Sequence, residues 1–264
     1  MSWGVDFADA PGNPPYEEVL SGIAAAGLRW MELGPVGYMP PQAPAAHGIG
    51  VVGTFVFDAF HLGGVDVRPA VDAIAAAGGS ILVLIDRPSP ARAATAGSSA
   101  AAPRLRDPGP MLDNLRRASE HAAARGIRAV IHPHCGGYIE FEDEIELVLG
   151  ATGLALCIDT GHALYAGSDP AALIRRYADR IRHLHLKDIS PGPRPRDFWA
   201  AVRAGVFCPI GAGRLDLEAV IAALSGYDGF ATIEQDRRPG SPGTPAEDLT
   251  RSVERATAAL RPGR

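Results

Sequence analysis

The chain has 264 residues, of which 47% are hydrophobic and 21% are charged, and this suits one large globular domain or two small ones. Its 25 Lys and Arg against 30 Asp and Glu give a formal net charge of -5 without any basic run, which argues against a nucleic-acid partner because binding to phosphates depends on clustered cations. The sequence has no signal-like start and no apolar run near the roughly 20 residues that span a bilayer, so we expect a soluble, cytoplasmic protein without a membrane partner.

One local unit recurs along the chain: an Ala-rich helical stretch, a glycine, and a short run of Val, Ile and Leu. Because glycine is favoured just past the end of a helix, each copy predicts a helix, its cap and a strand. The apolar runs are nearly continuous, which is typical of parallel strands covered by helices. The eight strand-bearing stretches are WGVDF (3–7), AAAGLRWMEL (24–33), AAHGIGVVGTFVF (45–57), AAAGGSILVLI (75–85), AARGIRAVIH (123–132), ATGLALCID (151–159), RIRHLHLKD (180–188) and SGYDGFATIE (225–234).

Eight strands that alternate with helices over about 250 residues predict a (β/α)8 barrel, with a doubly wound open sheet as the alternative. We treat residues 1–264 as a single domain. Two intervals depart from the repeat. Between the second and third strands, the prolines of residues 34–48 leave room for only a short helix or none. After the fourth strand, the Ala/Ser/Pro-rich segment 87–110 would emerge at the face where barrel active sites lie, as a lid or as a disordered insertion.

Ionisable residues end four consecutive predicted strands. The carboxyl ends of neighbouring barrel strands converge, so these residues are expected to share one small volume. Carboxylates and imidazoles gathered in a pocket need a positive partner, and a divalent metal ion provides one. Asp, Glu and His without thiolate favour Mn, Co, Mg or Fe, with Zn as a further candidate. The four endings are IHPHCGGYIE (131–140), CIDTGH (157–162), HLHLKD (183–188) and IEQD (233–236).

The stretch HLHLKD places His183, His185 and Lys187 on one face of a strand, because successive side chains point to opposite faces. In a barrel that face points to the axis. We expect His183 to lie deepest and form a core hydrogen bond, His185 to lie at the level of the metal, and Lys187 to lie at the rim and reach the substrate.

The motifs HPHxGxxxE, DTGH, HLHLKD, GVFxPxGxG (residues 205–213) and IEQD resemble the xylose-isomerase-like superfamily of sugar phosphate isomerases and epimerases. Within it, the resemblance is greatest to the inosose dehydratase group, and it covers nearly the whole chain. It implies a (β/α)8 barrel with one divalent metal at the carboxyl-terminal face, held by two glutamates, an aspartate and a histidine. One departure is Ala212, where inosose dehydratases commonly carry a glutamate.

Carried over by position, this resemblance implies that Asp159, His185 and Glu234 are metal ligands. The fourth ligand is open between two residues. Strand alignment places His132 where many relatives have a glutamate, but Glu140 follows a Gly-Gly turn that can bring its carboxylate back to the metal. We favour Glu140, because a carboxylate-rich ligand set suits an oxygen-preferring ion.

The expected chemistry is proton abstraction next to the carbonyl of a small polyhydroxylated ketone, with the metal stabilising an enediolate. Glu140 or Glu234 is the candidate base. His162 and Lys187, with His134, are candidates to donate protons or stabilise an oxyanion. Further candidates for substrate binding are His132, Glu32 and Arg196.

Loss of a β-hydroxyl after proton abstraction would make the enzyme a dehydratase acting on an inosose-like keto-cyclitol or keto-sugar. Return of the proton at another position or face would make it an isomerase or epimerase of the ketose or hydroxypyruvate type. A catalytically inactive binding protein is the non-enzyme alternative, and homo-oligomerisation stays open.

Overall fold

Seven parallel strands surrounded by helices form a nearly closed barrel in the computed structural model, which describes residues 2–238 and 241–260. The strands are β1 (Trp30–Glu32), β2 (Gly50–Asp58), β3 (Ile81–Asp86), β4 (Arg128–Ile131), β5 (Ala155–Asp159), β6 (Ile181–Leu186), β7 (Asp188–Ile189), β8 (Phe207–Cys208) and β9 (Ala231–Ile233). The barrel sheet has the order β1-β2-β3-β4-β5-β6-β9, and all its neighbours are parallel. The short strands β7 and β8 form a separate antiparallel pair.

Helices follow most of the barrel strands and cover the outside of the sheet. They are α1 (Tyr16–Ala25), α2 (Ala43–Ala46), α3 (Arg68–Ala77), α4 (Pro90–Ala93), α5 (Gly109–Ala123), α6 (Glu142–Thr152), α7 (Thr160–Ala166), α8 (Pro170–Arg176), α9 (Phe198–Arg203), α10 (Leu217–Ala223) and α11 (Pro245–Leu260). Within the described residues, none of these helices combines the length and the apolar character that crossing a membrane would require. The (β/α)8 barrel predicted from the sequence is confirmed as the fold class.

The strand β3 illustrates why the apolar runs are continuous. All six of its residues are buried, because one face meets the helix layer and the other meets the barrel interior. Leu82 and Leu84 pack into the main core between sheet and helices, whereas Val83 joins a smaller cluster inside the barrel. In β6 the same alternation sends Leu184 to the helix layer and leaves the histidines inside.

The prediction of a first strand at residues 3–7 is wrong, because this segment does not form a strand in the described structure. Gly4 has a φ of 72°, a left-handed conformation that interrupts an extended backbone. The segment nevertheless lies beside the chain that follows β9, since Asp6 Oδ2 is 2.9 Å from Arg238 Nη2 and Val5 is buried.

The two irregular intervals of the sequence are also irregular in the structure. The interval between β1 and β2 contains only the four-residue helix α2. The segment 87–110 contains the four-residue helix α4 and then turns until α5 begins. This segment is held to the barrel by Arg92, whose buried guanidinium binds the carboxylates of Glu140 and Glu144.

Candidate active site

The ionisable groups at the carboxyl ends of β4, β5, β6 and β9 meet inside the barrel. Asp159 ends β5 and pairs in register with His185 of β6. His132 directly follows β4, and Glu234 directly follows β9. Parallel strands bring their carboxyl ends to the same face, which explains why residues more than 100 positions apart in the sequence become neighbours.

Four of these residues form a group that suits a metal ion: His132, Asp159, His185 and Glu234. One ligand atom from each lies within 4.8 Å of all the others. Asp159 Oδ2 is 3.6 Å from His132 Nε2 and 3.8 Å from His185 Nδ1, and Glu234 Oε2 is 2.8 Å from His185 Nδ1. Two imidazole nitrogens and two carboxylate oxygens are a donor set that fits a divalent Mn, Fe, Co or Zn ion.

The carboxylate of Glu32 lies beneath His185 and orients it. Its Oε1 atom is 3.0 Å from His185 Nε2 and 2.8 Å from His183 Nε2, and it accepts a hydrogen bond of 2.8 Å from the hydroxyl of Thr232. Burial acts to raise the pKa of Glu32, but His185 and His183 hold it well below its usual value. Because Nε2 of His185 faces Glu32, its Nδ1 is directed towards the carboxylates of Asp159 and Glu234 in the metal-ligand group. His183 is fully buried and hydrogen-bonded, as predicted.

Lys187 is buried within the site, so its predicted exposed place at the rim is wrong. Its side chain is 1% exposed, and Nζ lies 3.1 Å from Asp159 Oδ2, 3.3 Å from Glu234 Oε2 and 3.1 Å from Asp236 Oδ2. Burial acts to lower the pKa of Lys187, but these three carboxylates keep it well above its usual value. The ammonium turns inward because three ionised carboxylates attract it more strongly than solvent does at the rim.

Asp236 is a site residue that the sequence reasoning did not single out. It lies two positions after Glu234, and in an extended chain residues two apart point to the same side, so the spacing in IEQD carried the signal. Burial acts to raise the pKa values of Asp159, Glu234 and Asp236, but Lys187 helps to hold all three below their usual values. Together with the ionised Glu32 beneath His185, these three carboxylates outnumber the single ammonium, so the site is net negative and attracts a divalent ion.

Glu140 does not belong to the metal-ligand group, so our preference for it over His132 is not supported by the geometry. Its Oε1 accepts the backbone N–H of Gly97 at 2.6 Å. Its Oε2 accepts the backbone N–H of Gly136 at 3.0 Å and the guanidinium of Arg92 at 3.3 Å. Burial raises the pKa of this carboxyl to about 7, although these three donors act in the opposite direction. These donors lie outside the metal-ligand group and hold the Glu140 carboxylate away from it.

His134 and His162 lie side by side, with ring centroids 4.0 Å apart, and both are buried. The backbone of Cys135 contacts both rings. Its carbonyl oxygen is 2.9 Å from His134 Nδ1, and its N–H donates to His162 Nδ1 at 3.3 Å. A carbonyl only accepts and an N–H only donates, which assigns the proton of His134 to Nδ1 and that of His162 to Nε2. Burial lowers the pKa of both imidazoles, so both are neutral near pH 7.

A cavity of about 220 Å³ opens above these groups. Its polar lining includes His132, His134, His162, His185, Lys187 and Asp236. An aromatic wall faces the imidazoles: the ring centroid of His134 lies 5.4 Å from that of Phe57 and 4.9 Å from that of Phe198. Arg196 is exposed, and neither it nor segment 87–110 lines this cavity.

Comparison with known proteins identifies the family. A family model described as a xylose isomerase-like TIM barrel matches residues 66–258. The chain therefore belongs to the xylose isomerase-like TIM barrel family. A curated relative, the inosose dehydratase of Geobacillus kaustophilus (strain HTA426), is 36% identical over 140 residues, which cover 49% of this chain and 46% of that protein. The chain thus aligns with about half the length of the curated relatives that it matches.

Solved structures agree with this family at the level of the fold. A crystal structure of the IolI protein with a bound zinc atom has a TM-score of 0.72 at 13% identity and covers 98% of this chain and 95% of that one. The structure of L-ribulose 3-epimerase has a TM-score of 0.70 at 17% identity and covers 98% of this chain and 92% of that one.

The last residue of HLHLKD has a structural role in this member of the xylose isomerase-like family. Asp188 is fully buried, and its Oδ2 accepts the N–H groups of Gly211 and Gly213 at 3.0 and 3.1 Å. Its Oδ1 accepts the N–H of Leu215 at 2.9 Å. Asp188 therefore holds the stretch 205–213 against the end of β6. Ala212, between the two glycines, is exposed.

Proposed function

We propose that the protein is a metal-dependent lyase that dehydrates a small polyhydroxylated ketone of the inosose type. The observation that carries the proposal is the convergence of the ligand group His132, Asp159, His185 and Glu234 with two neutral imidazoles in one cavity. The similarity to inosose dehydratases supports the substrate class.

One divalent ion, held by His132, Asp159, His185 and Glu234, completes the proposed site. When bound, such an ion supplies Lewis-acid stabilisation of the negative charge that develops on the substrate oxygen. The net negative charge of the site supports a bound cation with Lys187 protonated. His134, His162 and Asp236 form a second group of possible ligands. The Lys187 ammonium would repel a cation there, because its Nζ is 3.2 Å from His162 Nε2.

His134 and Lys187 divide the proton transfers between them in our proposal. The unprotonated Nε2 of His134 takes the proton from the carbon next to the carbonyl. The ammonium of Lys187, which lines the cavity and lies 3.2 Å from His162 Nε2, donates a proton to the leaving β-hydroxyl, which departs as water. Glu140 does not line the cavity, and Glu234 Oε2 is already in contact with His185 and Lys187. His134 is therefore a better base than the two glutamates that the sequence suggested.

Deuterium exchange tests this proposal. Protein loaded with Mn²⁺ is incubated in D₂O with keto-cyclitols, ketoses and hydroxypyruvate, and the products are followed by NMR. We expect a keto-cyclitol to lose water and the product to carry deuterium at the carbon that lost its hydroxyl, because the enol formed by the elimination takes up a solvent deuteron there when it becomes a ketone. The same protein treated with a chelator is the control and should be inactive. No deuterium incorporation into any of these ketones would contradict the proposal.

Isomerisation or epimerisation of a ketose is the second candidate, and the neutral imidazole of His134 in the cavity favours it. Its Nε2 can remove a proton from one carbon of a ketose and return it to the neighbouring carbon, which isomerises the sugar, whereas epimerisation would need a second proton donor on the opposite face. The fold shared with L-ribulose 3-epimerase is compatible with this chemistry. In the D₂O experiment, deuterium in an isomer without loss of water would favour this candidate.

Substitution of Lys187 by methionine should separate metal binding from turnover. We expect Lys187→Met to retain the metal, because the ammonium competes with the ion for Asp159 and Glu234. Turnover should fall about 100-fold, the lower end of the usual contribution of a proton-transferring or charge-stabilising group. Metal analysis and kcat of the same preparation check this. Loss of metal together with activity would show instead that Lys187 holds the ligand group in place.

A further inference from the structure

We propose that Glu140 is a positioning residue that acts on His134 through the peptide bond between Cys135 and Gly136. The catalytic part of this inference rests on the proposed role of His134 as a base, whereas its structural part does not. The carboxylate of Glu140 is buried, lies outside the metal-ligand group and does not line the cavity. A buried carboxylate is expensive to keep, so its three hydrogen bonds call for a functional explanation.

The two sides of one peptide group connect Glu140 to His134. The N–H of Gly136 donates to Glu140 Oε2 at 3.0 Å, and the carbonyl oxygen of Cys135 lies 2.9 Å from His134 Nδ1. These two atoms belong to the same planar trans peptide, in which N–H and C=O point in opposite directions. A carboxylate that fixes the N–H therefore also fixes the direction of the carbonyl. Hydrogen bonds on both sides of one peptide also polarise and strengthen each other.

The direction of this carbonyl determines which nitrogen of His134 carries the proton. With the carbonyl facing it, Nδ1 keeps its proton and Nε2 is left with a free lone pair. If the peptide turned over, its N–H would face Nδ1, the proton would move to Nε2, and His134 could no longer accept a proton there. The same peptide plane thus determines whether His134 is a base.

The local sequence would allow the peptide between Cys135 and Gly136 to flip easily unless another group restrained it. Gly136 has a φ of 79°, and Gly137 follows it, so the backbone here lacks the side chains that normally restrict a peptide flip. Glu140 supplies the restraint and is itself fixed from segment 87–110. The N–H of Gly97 donates to its Oε1 at 2.6 Å, and Arg92 binds its Oε2 at 3.3 Å. Segment 87–110 therefore contributes to the site from behind the imidazoles.

The test measures the tautomer of His134 directly. In protein labelled with ¹⁵N-histidine, long-range ¹H–¹⁵N NMR correlations distinguish a protonated Nδ1 from a protonated Nε2, and the spectrum of His134→Gln assigns the signal. We expect the wild type to carry the proton on Nδ1. In Glu140→Ala we expect the Nε2–H tautomer to appear. The control is Glu142→Ala, which removes a partly exposed carboxylate two residues further on that binds Arg176, and it should leave the tautomer unchanged.

The kinetic expectation is a fall in kcat with little change in KM. Residues that orient a functional histidine commonly contribute about 10- to 100-fold, and we expect a loss in this range for Glu140→Ala at unchanged metal content. Glu140→Gln keeps an oxygen that can accept the N–H of Gly136, so it should recover part of the rate and of the Nδ1–H signal. If Glu140→Ala does not fold, Glu140→Gln takes its place in every comparison. The glutamine variant is then expected to show only a partial shift of the His134 proton from Nδ1 to Nε2.

A folded Glu140 variant whose His134 keeps the wild-type tautomer would overturn the inference, even if its activity falls. The NMR measurement needs no substrate. If the wild type turns over none of the ketones, the proposed function fails, while the tautomers of wild type and variant still decide whether Glu140 positions His134.

Discussion

Replacing His132 by alanine is expected to remove the divalent metal from the protein, whereas Glu140→Gln should retain it. His132 contributes one of the four converging ligand atoms, while both oxygens of Glu140 are occupied by other donors. Because changes beyond the ligands themselves already weaken metal binding by about 10- to 100-fold, we expect loss of a ligand to lower the affinity by at least about 100-fold. Turnover should fall by about 1,000-fold, since a bound ion provides several kcal/mol of transition-state stabilisation.

Metal content per chain, measured by mass spectrometry after purification without chelator, checks this prediction. The control is His61→Ala. His61 is also a histidine in contact with a carboxylate, with its Nδ1 2.8 Å from Asp86 Oδ1, but it lies outside the ligand group and should leave the metal content unchanged. Full metal content in His132→Ala, or its loss in Glu140→Gln, would return Glu140 to the ligand set.

The sequence was sufficient to predict the family, the barrel and the strands that carry the site, because each of these depends on local patterns. The alternation in HLHLKD predicted that His183 and His185 point inward, and the structure confirms it. The convergence of strand ends in a barrel also predicted that Asp159, His185 and Glu234 lie close together, and the structure places them in one group.

The position of Glu140 could not be predicted, because it depends on a contact between segments far apart in the chain. A Gly-Gly turn allows the following carboxylate to point in several directions. The direction is selected by Arg92 and Gly97, which belong to a segment of low sequence complexity that gave no structural signal. The burial of Lys187 is a similar case, since its depth depends on the combined charge of carboxylates from β5 and from the chain after β9.

The largest effect on stability is expected from Arg92→Ala. Its side chain is 0% exposed, binds Glu140 Oε2 at 3.3 Å, and donates to the two oxygens of Glu144 at 2.9 and 3.0 Å. Removing the guanidinium leaves Glu140 without its ion-pair partner, and breaking a buried pair in this way costs about 3–5 kcal/mol at a pH well above the Glu140 pKa of about 7, where the carboxyl is ionised. The free energy of unfolding from urea titrations measures the loss. Because Glu140 also anchors segment 87–110, cleavage by proteases within that segment should increase.

The control for Arg92 is Arg176→Ala, which removes a guanidinium that also binds two glutamates, Glu142 and Glu146, but on the surface. Arg176 is 53% exposed, so its loss should lower the free energy of unfolding by less than about 1 kcal/mol. A double-mutant cycle identifies the source of the Arg92 effect. In a Glu140→Gln background the charge left behind is smaller, so Arg92→Ala should cost measurably less than in the wild type. Equal costs in both backgrounds would mean that Arg92 stabilises the protein through Glu144 and its packing alone, and that the ion pair with Glu140 contributes nothing.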